Sequence, residues 1–183
     1  DPESSSGAVL VWYGGADSFL VDATANMADW VGRSWSDQEN SNLGTAVAVV
    51  DVNGDGSADV VGAAPYAFKV DSYAGGGIFG WYSSEAGANS GEPGYTYNAD
   101  WVFEPLRERQ GIGSNQGVAF AGDLDGDGYA DLAVTAYQSS NNREGEVFIF
   151  RGGSAGLSTT ADWYFKGGAV TMRAGVQARY AGD

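Results

Sequence analysis

Along this chain apolar residues fall in short alternating runs, each closed by glycine, asparagine, aspartate or serine. Alternation with a period of two, bounded by turn residues, predicts half-buried or buried strands. Three such runs end in a small-residue turn: G-A-V-L-V-W-Y-G-G from Gly7, G-I-F-G-W-Y-S-S from Gly77 and G-E-V-F-I-F-R-G-G from Gly145. The last two predict strands over about 77–82 and 146–151. Two further pairs flank acidic stretches, over about 45–50 with 59–64 and about 117–122 with 131–136. A last strand in each set carries A-D-W, which recurs at Ala28–Trp30, Ala99–Trp101 and Ala161–Trp163. No amphipathic helical stripe exceeds two turns.

The order of these pieces never changes: turn strand, A-D-W, acidic loop. From each tryptophan to the next acidic position the spacing is 21, 22 and 20 residues, ending at Asp51, Asp123 and Asp183. The repeated unit is therefore 72 residues long the first time and 60 the second. Four antiparallel strands per unit make the blade of a β-propeller. The fold expected is all-β, a partial propeller of two complete blades plus parts of two more, eleven strands in all. A part blade spans about 7–31, blades span 44–103 and 117–165, and the start of another spans 175–183. Such a piece leaves sheet edges and faces open. Their expected partners are the remaining blades of a longer protein or other copies of this one.

Composition narrows the chemistry. With 9 Lys+Arg against 24 Asp+Glu the formal charge is −15, which repels a phosphate backbone and argues against nucleic acid. Cys 0 excludes disulfides, thiol nucleophiles and thiolate metal sites, and His 0 excludes a Ser–His–Asp triad and imidazole ligands. An enzyme is not expected. No apolar run approaches the roughly 20 residues needed to cross a bilayer.

The two acidic stretches carry the specific signal. D-V-N-G-D-G-S-A-D begins at Asp51 and D-L-D-G-D-G-Y-A-D at Asp123. Alternate positions place Asp51, Asn53, Asp55, the Ser57 carbonyl and Asp59 on one side of a tight loop. The second set is Asp123, Asp125, Asp127, the Tyr129 carbonyl and Asp131. Gly54, Gly56, Gly126 and Gly128 permit the winding. An all-oxygen cage suits a hard cation, and calcium tolerates irregular geometry better than magnesium. An EF-hand would need an acid at position 12 and a helix beyond it. Gly62 and Val134 stand there instead, followed by strand-like V-V-G-A-A-P and L-A-V-T-A-Y. Two Ca²⁺ sites are expected, and four carboxylates against three give the second the higher affinity.

These loops and their flanks resemble the FG-GAP repeats of integrin α-subunit propellers, of the bacterial extracellular type. The family pattern is Phe-Gly, a strand, D-x-(D/N)-x-D-G-x-x-D, a strand, then Gly-Ala-Pro. Phe-Gly is replaced here by Leu43-Gly44, Gln116-Gly117 and Ala174-Gly175. Gly-Ala-Pro becomes Gly62-Ala63-Ala64-Pro65 and Val134-Thr135-Ala136-Tyr137. The resemblance implies a seven-bladed ring, structural calcium in loops on one face, and ligands on the opposite face.

The reading that follows is a calcium-binding extracellular segment, secreted or at a bacterial cell surface, serving ligand binding or adhesion. Its ligand would be a protein or a carbohydrate. The alternatives are a subunit of a surface fibre or sheath, or a non-catalytic part of a larger secreted enzyme. Trp30, Trp101 and Trp163, repeated at one position, are expected to pack between neighbouring sheets. Trp35 in R-S-W-S-D is the aromatic chosen as a sugar contact, and Arg107 with Arg109 is the one dense basic pair. The long stretch Ser84–Tyr97 reads as an inserted loop, the place where recognition commonly resides.

Overall fold

The structure, a computed structural model, describes residues 6–14, 28–34, 40–70, 73–84, 87–88, 94–104, 111–114, 117–139 and 143–179. Trp35, Arg107, Arg109 and Asp183 lie outside them. In chain order the strands are β1 (Ala8–Val11), β2 (Trp30–Arg33), β3 (Val47–Val50), β4 (Asp59–Ala64), β5 (Lys69–Val70), β6 (Tyr73–Ala74), β7 (Gly77–Trp81), β8 (Ser83–Ser84), β9 (Gly87–Ala88), β10 (Gly94–Tyr95), β11 (Trp101–Phe103), β12 (Val118–Gly122), β13 (Asp131–Ala136), β14 (Glu146–Phe150) and β15 (Trp163–Lys166). One 3₁₀ turn, Thr96–Asn98, is the only helical element among the described residues.

Two four-stranded antiparallel sheets follow the chain as a meander, in the orders β3-β4-β7-β11 and β12-β13-β14-β15. Before them β1 pairs antiparallel with β2, as the last two strands of a preceding blade. This is an all-β, partial propeller. The second strand of each full blade is buried along its whole length, on both faces. In β4, Val60 and Ala64 face the first sheet with Val9, Trp30 and Leu43. Val61 and Ala63 face the third with Leu132, Val134, Phe148 and Phe150. An alternating sequence thus becomes apolar on both sides because a neighbouring sheet covers each.

Successive sheets are tied at one repeated point. Gly7 bridges Leu43, Gly76 bridges Ile112 and Gly145 bridges Ala174, each in parallel. All three glycines have positive φ, and a Cβ there would sit 2.2–2.4 Å from the partner's carbonyl oxygen. Only glycine allows that approach.

The same bridges correct the alignment of the Phe-Gly position in the second unit. Gly44 N–H donates to the Ala63 carbonyl, and Gly113 N–H donates to that of Thr135. Ile112-Gly113, not Gln116-Gly117, therefore matches Leu43-Gly44. The turn after Gly113 is longer, and β12 holds a bulge between Phe120 and Gly122, so counting back from the acidic loop lands on the wrong glycine.

The inserted stretch is also more than a loop. β8 and β9 form a small hairpin, while β10 runs back to pair in parallel with β2, Gly94 opposite Gly32 and Tyr95 opposite Arg33. Trp81 Nε1 donates to the Tyr95 carbonyl at 3.2 Å. Gly94 and Tyr95 of the insertion thus extend the first sheet as its third strand.

Of the three repeated tryptophans, two behave as expected. Trp30 meets Trp81 of the next blade edge-on at 5.4 Å between ring centres, and Trp101 meets Phe150 likewise at 5.0 Å. Trp163 departs from the expectation: it is 53% exposed, on a strand exposed throughout. Its packing partner would belong to a following sheet, and none stands against β15 among the described residues.

Candidate metal centre

Each acidic loop joins the first two strands of a blade, and its shape is set by carboxylates accepting the loop's own N–H groups. In the first, Asp51 Oδ1 accepts from Gly54 (2.7 Å) and Asp55 (3.2 Å), and Oδ2 from Gly56 (2.9 Å). In the second, Asp123 Oδ1 accepts from Gly126 (2.8 Å) and Asp127 (3.0 Å), and Oδ2 from Gly128 (2.8 Å). The glycines in the two loops all have positive φ. The sequence D-x-(D/N)-G-D-G thus folds into a ring of donors around its first aspartate.

The closing aspartates do a different job. Asp59 and Asp131 are fully buried. Asp59 accepts from Val52 N–H within its loop (3.0 Å) and from Ser83 N–H just past β7 (2.8 Å). Asp131 accepts from Leu124 N–H (2.8 Å) and from Gly152 N–H just past β14 (3.0 Å). Each therefore pins its loop to the third strand of the blade. Asp55 and Asp127 turn one oxygen to the N–H of Ser57 and Tyr129 (2.8 and 3.0 Å).

In the second loop, carboxylate oxygens of Asp123, Asp125 and Asp131 lie within 4.8 Å of one another. Asp127 is outside that trio. At the matching positions the first loop has Asp51, Asn53 and Asp59, and Asn53 Nδ2 donates to Asp55 Oδ2 at 3.2 Å. Three converging carboxylates, all hard oxygen donors, fit a divalent cation of the calcium type.

Burial pushes the Asp59 carboxyl up to about 6, opposed by the N–H groups of Val52 and Ser83 and reinforced by Asp55 and Asp51. Because this folded value lies above the ordinary 3.8, the charged form opposes folding. The metal-free fold gains stability from Asp59 as pH falls through 6 toward the unfolded value, and loses it as pH rises. A cation held by the first loop would need the charged form, so its affinity there would fall as pH drops through about 6. Carboxyl ¹³C NMR of metal-free protein is expected to give a midpoint near 6; an ordinary midpoint would overturn this.

Sequence reasoning missed two parts of the site. One is the aspartate of A-D-W. Asp29, Asp100 and Asp162 donate their N–H to Val11, Gly80 and Ile149 carbonyls, each at 2.9 Å. Their carboxylates accept from the N–H of Tyr13, Tyr82 and Arg151. Every copy thus closes the link between third and fourth strands at its base. The repetition is visible in the sequence, but not this pair of hydrogen bonds. The other is Arg151, whose Nη1 lies 2.9 Å from Asp125 Oδ2 and whose Nη2 lies 2.9 Å from Asp162 Oδ1. Hydrogen bonding from Arg151 holds the Asp125 carboxyl below its ordinary value; the Ser158 hydroxyl, then Arg151, does so for Asp162. With Trp163 these groups line a groove of about 470 Å³ beside the loop.

The family model described as FG-GAP repeat matches residues 43–78 and 115–150, which hold both acidic loops. Integrin alpha-7 of Rattus norvegicus is 34% identical over 136 residues, 73% of this chain and 11% of the relative. Integrin alpha-6 of Homo sapiens is 33% identical over 129 residues, 69% of this chain and 10% of the relative. Integrin alpha-PS5 of Drosophila melanogaster is 36% identical over 140 residues, 76% and 13% respectively. The chain spans about a tenth of the length of these relatives.

Proposed function

The chain is an FG-GAP repeat protein of the integrin α-like kind, and from that premise we propose that it is a calcium-stabilised segment of an extracellular propeller serving ligand binding or adhesion. The observation that carries this is the convergence of Asp123, Asp125 and Asp131 at a loop whose frame recurs at Asp51–Asp59. Asp123, Asp125, Asp127 and Asp131, with the Tyr129 carbonyl, would hold one ion. Asp51, Asn53, Asp55 and Asp59, with the Ser57 carbonyl, would hold the other. Bound calcium supplies positive charge that offsets repulsion among the carboxylates. The chain's own residues already fix the loops: Asp51 and Asp123 gather the backbone N–H groups, and Asp59 and Asp131 anchor each loop to the end of its blade's third strand.

Carboxylates committed in this way leave the chain suited to recognition and not to acid–base chemistry. The proposed blades are 44–103 and 117–165, with part blades at 7–31 and 175–183. Its partners would be further blades or other copies, and beyond them a protein or carbohydrate ligand on the face away from the loops. No helix among the described residues is long and apolar enough to cross a membrane.

Thermal unfolding tests the reading. Millimolar calcium is expected to raise the midpoint by about 5–10 °C over chelator, the shift for ligand at roughly 100 times its Kd in a domain of this size. Identical midpoints would sink it. A second reading, chain-to-chain assembly, is favoured by the exposed Trp163, Tyr164 and Phe165 on the edge strand β15. Light scattering that reports a monomer in calcium would exclude it.

A further inference from the structure

The two loops differ in more than the exchange of Asn53 for Asp125. Arg151, at the end of the third strand of its blade, reaches the second loop and pairs with Asp125 and Asp162. Tyr82 holds the matching place beside the first loop, since its N–H meets Asp100 as that of Arg151 meets Asp162. The Tyr82 hydroxyl is turned away to accept the N–H of Leu157 at 2.9 Å. Among the described residues no cation pairs with the first loop. We propose that Arg151 is a resident counter-cation of the second loop, which competes with the divalent ion for Asp125 and sets the affinity of that site. This rests on the calcium reading of the loops given above.

The charges bear directly on affinity. The first loop carries three carboxylates, Asp51, Asp55 and Asp59. The second carries four, Asp123, Asp125, Asp127 and Asp131, with one guanidinium held against them. Both sets therefore sum to the same formal charge, and the advantage assigned to the second loop by counting carboxylates disappears. Asp125 belongs to the trio that converges in the second loop, and its Oδ2 is held by Arg151, so an entering ion and the guanidinium claim the same carboxylate. The competition is soft, because the Arg151 side chain is 53% exposed and water can receive it. Placement adds a structural consequence. With Asp162 also bound, Arg151 links the loop to the base of the β14–β15 connection, holding the second loop in shape without an ion.

Calcium titration of the full chain followed by ¹⁵N NMR separates the loops, with Gly54 and Gly56 reporting the first and Gly126 and Gly128 the second. In the unmodified protein the two dissociation constants are expected within about threefold of each other. Arg151→Gln should lower the constant at Gly126 and Gly128 by about three- to tenfold, as loss of a close like charge in a solvated setting implies. The constant at Gly54 and Gly56 should move by less than about twofold. Arg151→Lys keeps the charge and should leave the second loop within about twofold of the unmodified value, with an unchanged amide spectrum as the check of folding. An unchanged or raised constant in Arg151→Gln overturns the proposal, as does equal tightening in Arg151→Lys. Absence of saturable shifts at both loops in the unmodified protein would instead remove the calcium reading itself.

Discussion

Replacing Trp101 with alanine is expected to cost about 3–5 kcal/mol of folding stability, whereas the same change at Trp163 stays within about 0.5 kcal/mol. The two residues occupy one place in the repeat, so the contrast isolates packing from motif. Trp101 is 4% exposed, meets Phe103 and Phe150, and donates its Nε1–H to the Ser158 carbonyl at 2.9 Å. Truncation removes that apolar surface, opens a cavity between two sheets and leaves the part-buried Ser158 carbonyl without its donor. Among the described residues Trp163 stacks on Phe165 alone, itself exposed. Urea denaturation of the two variants would decide it, and similar midpoints would mean that the sheets do not pack as described.

Asp131→Ala is expected to destabilise even the metal-free protein, by about 2–5 kcal/mol. Its fully buried carboxylate is the acceptor for Leu124 and Gly152 N–H groups in part-buried hydrogen bonds, and each donor left unmatched costs about 1–3 kcal/mol, less as water reaches it. Asp125→Ala separates the roles: its carboxylate meets the half-exposed Arg151 and the Asp127 N–H, so chelated protein should lose much less stability than with Asp131→Ala while calcium binding at Gly126 and Gly128 weakens. Unfolding in chelator, then in calcium, reads both effects. Should Asp131→Ala leave the chelated midpoint in place, the closing aspartate would be a ligand alone and no anchor.

Much of this architecture was legible in one dimension because the determinants are local. The strands after each acidic loop, read at 59–64 and 131–136, are β4 and β13 residue for residue. The turn strands lose only their last residue. Turn chemistry at fixed offsets fixes those ends, and a period of two fixes the register. What escaped was non-local. β10 finds β2 across some sixty residues, and nothing in G-Y-T-Y announces a parallel partner. Arg151 meets Asp125 from 26 positions away. Identical A-D-W copies cannot foretell that one tryptophan, Trp163, is half-exposed while the other two are buried. Nor does alternate spacing show that Asp127 spends an oxygen on Tyr129 N–H while its three companions converge.

The paired hydrogen bonds of the A-D-W aspartate bear on how such repeats diversify. Reciprocal bonds cross the neck of the connection whether it runs 16, 18 or 11 positions from hydrogen-bonded N–H to aspartate. Sequence beyond the neck can lengthen, acquire its own hairpin or be exchanged for foreign peptide while the strands below keep their register. Evolution, or a protein engineer, is thereby handed a socket for new surface at the rim of every blade.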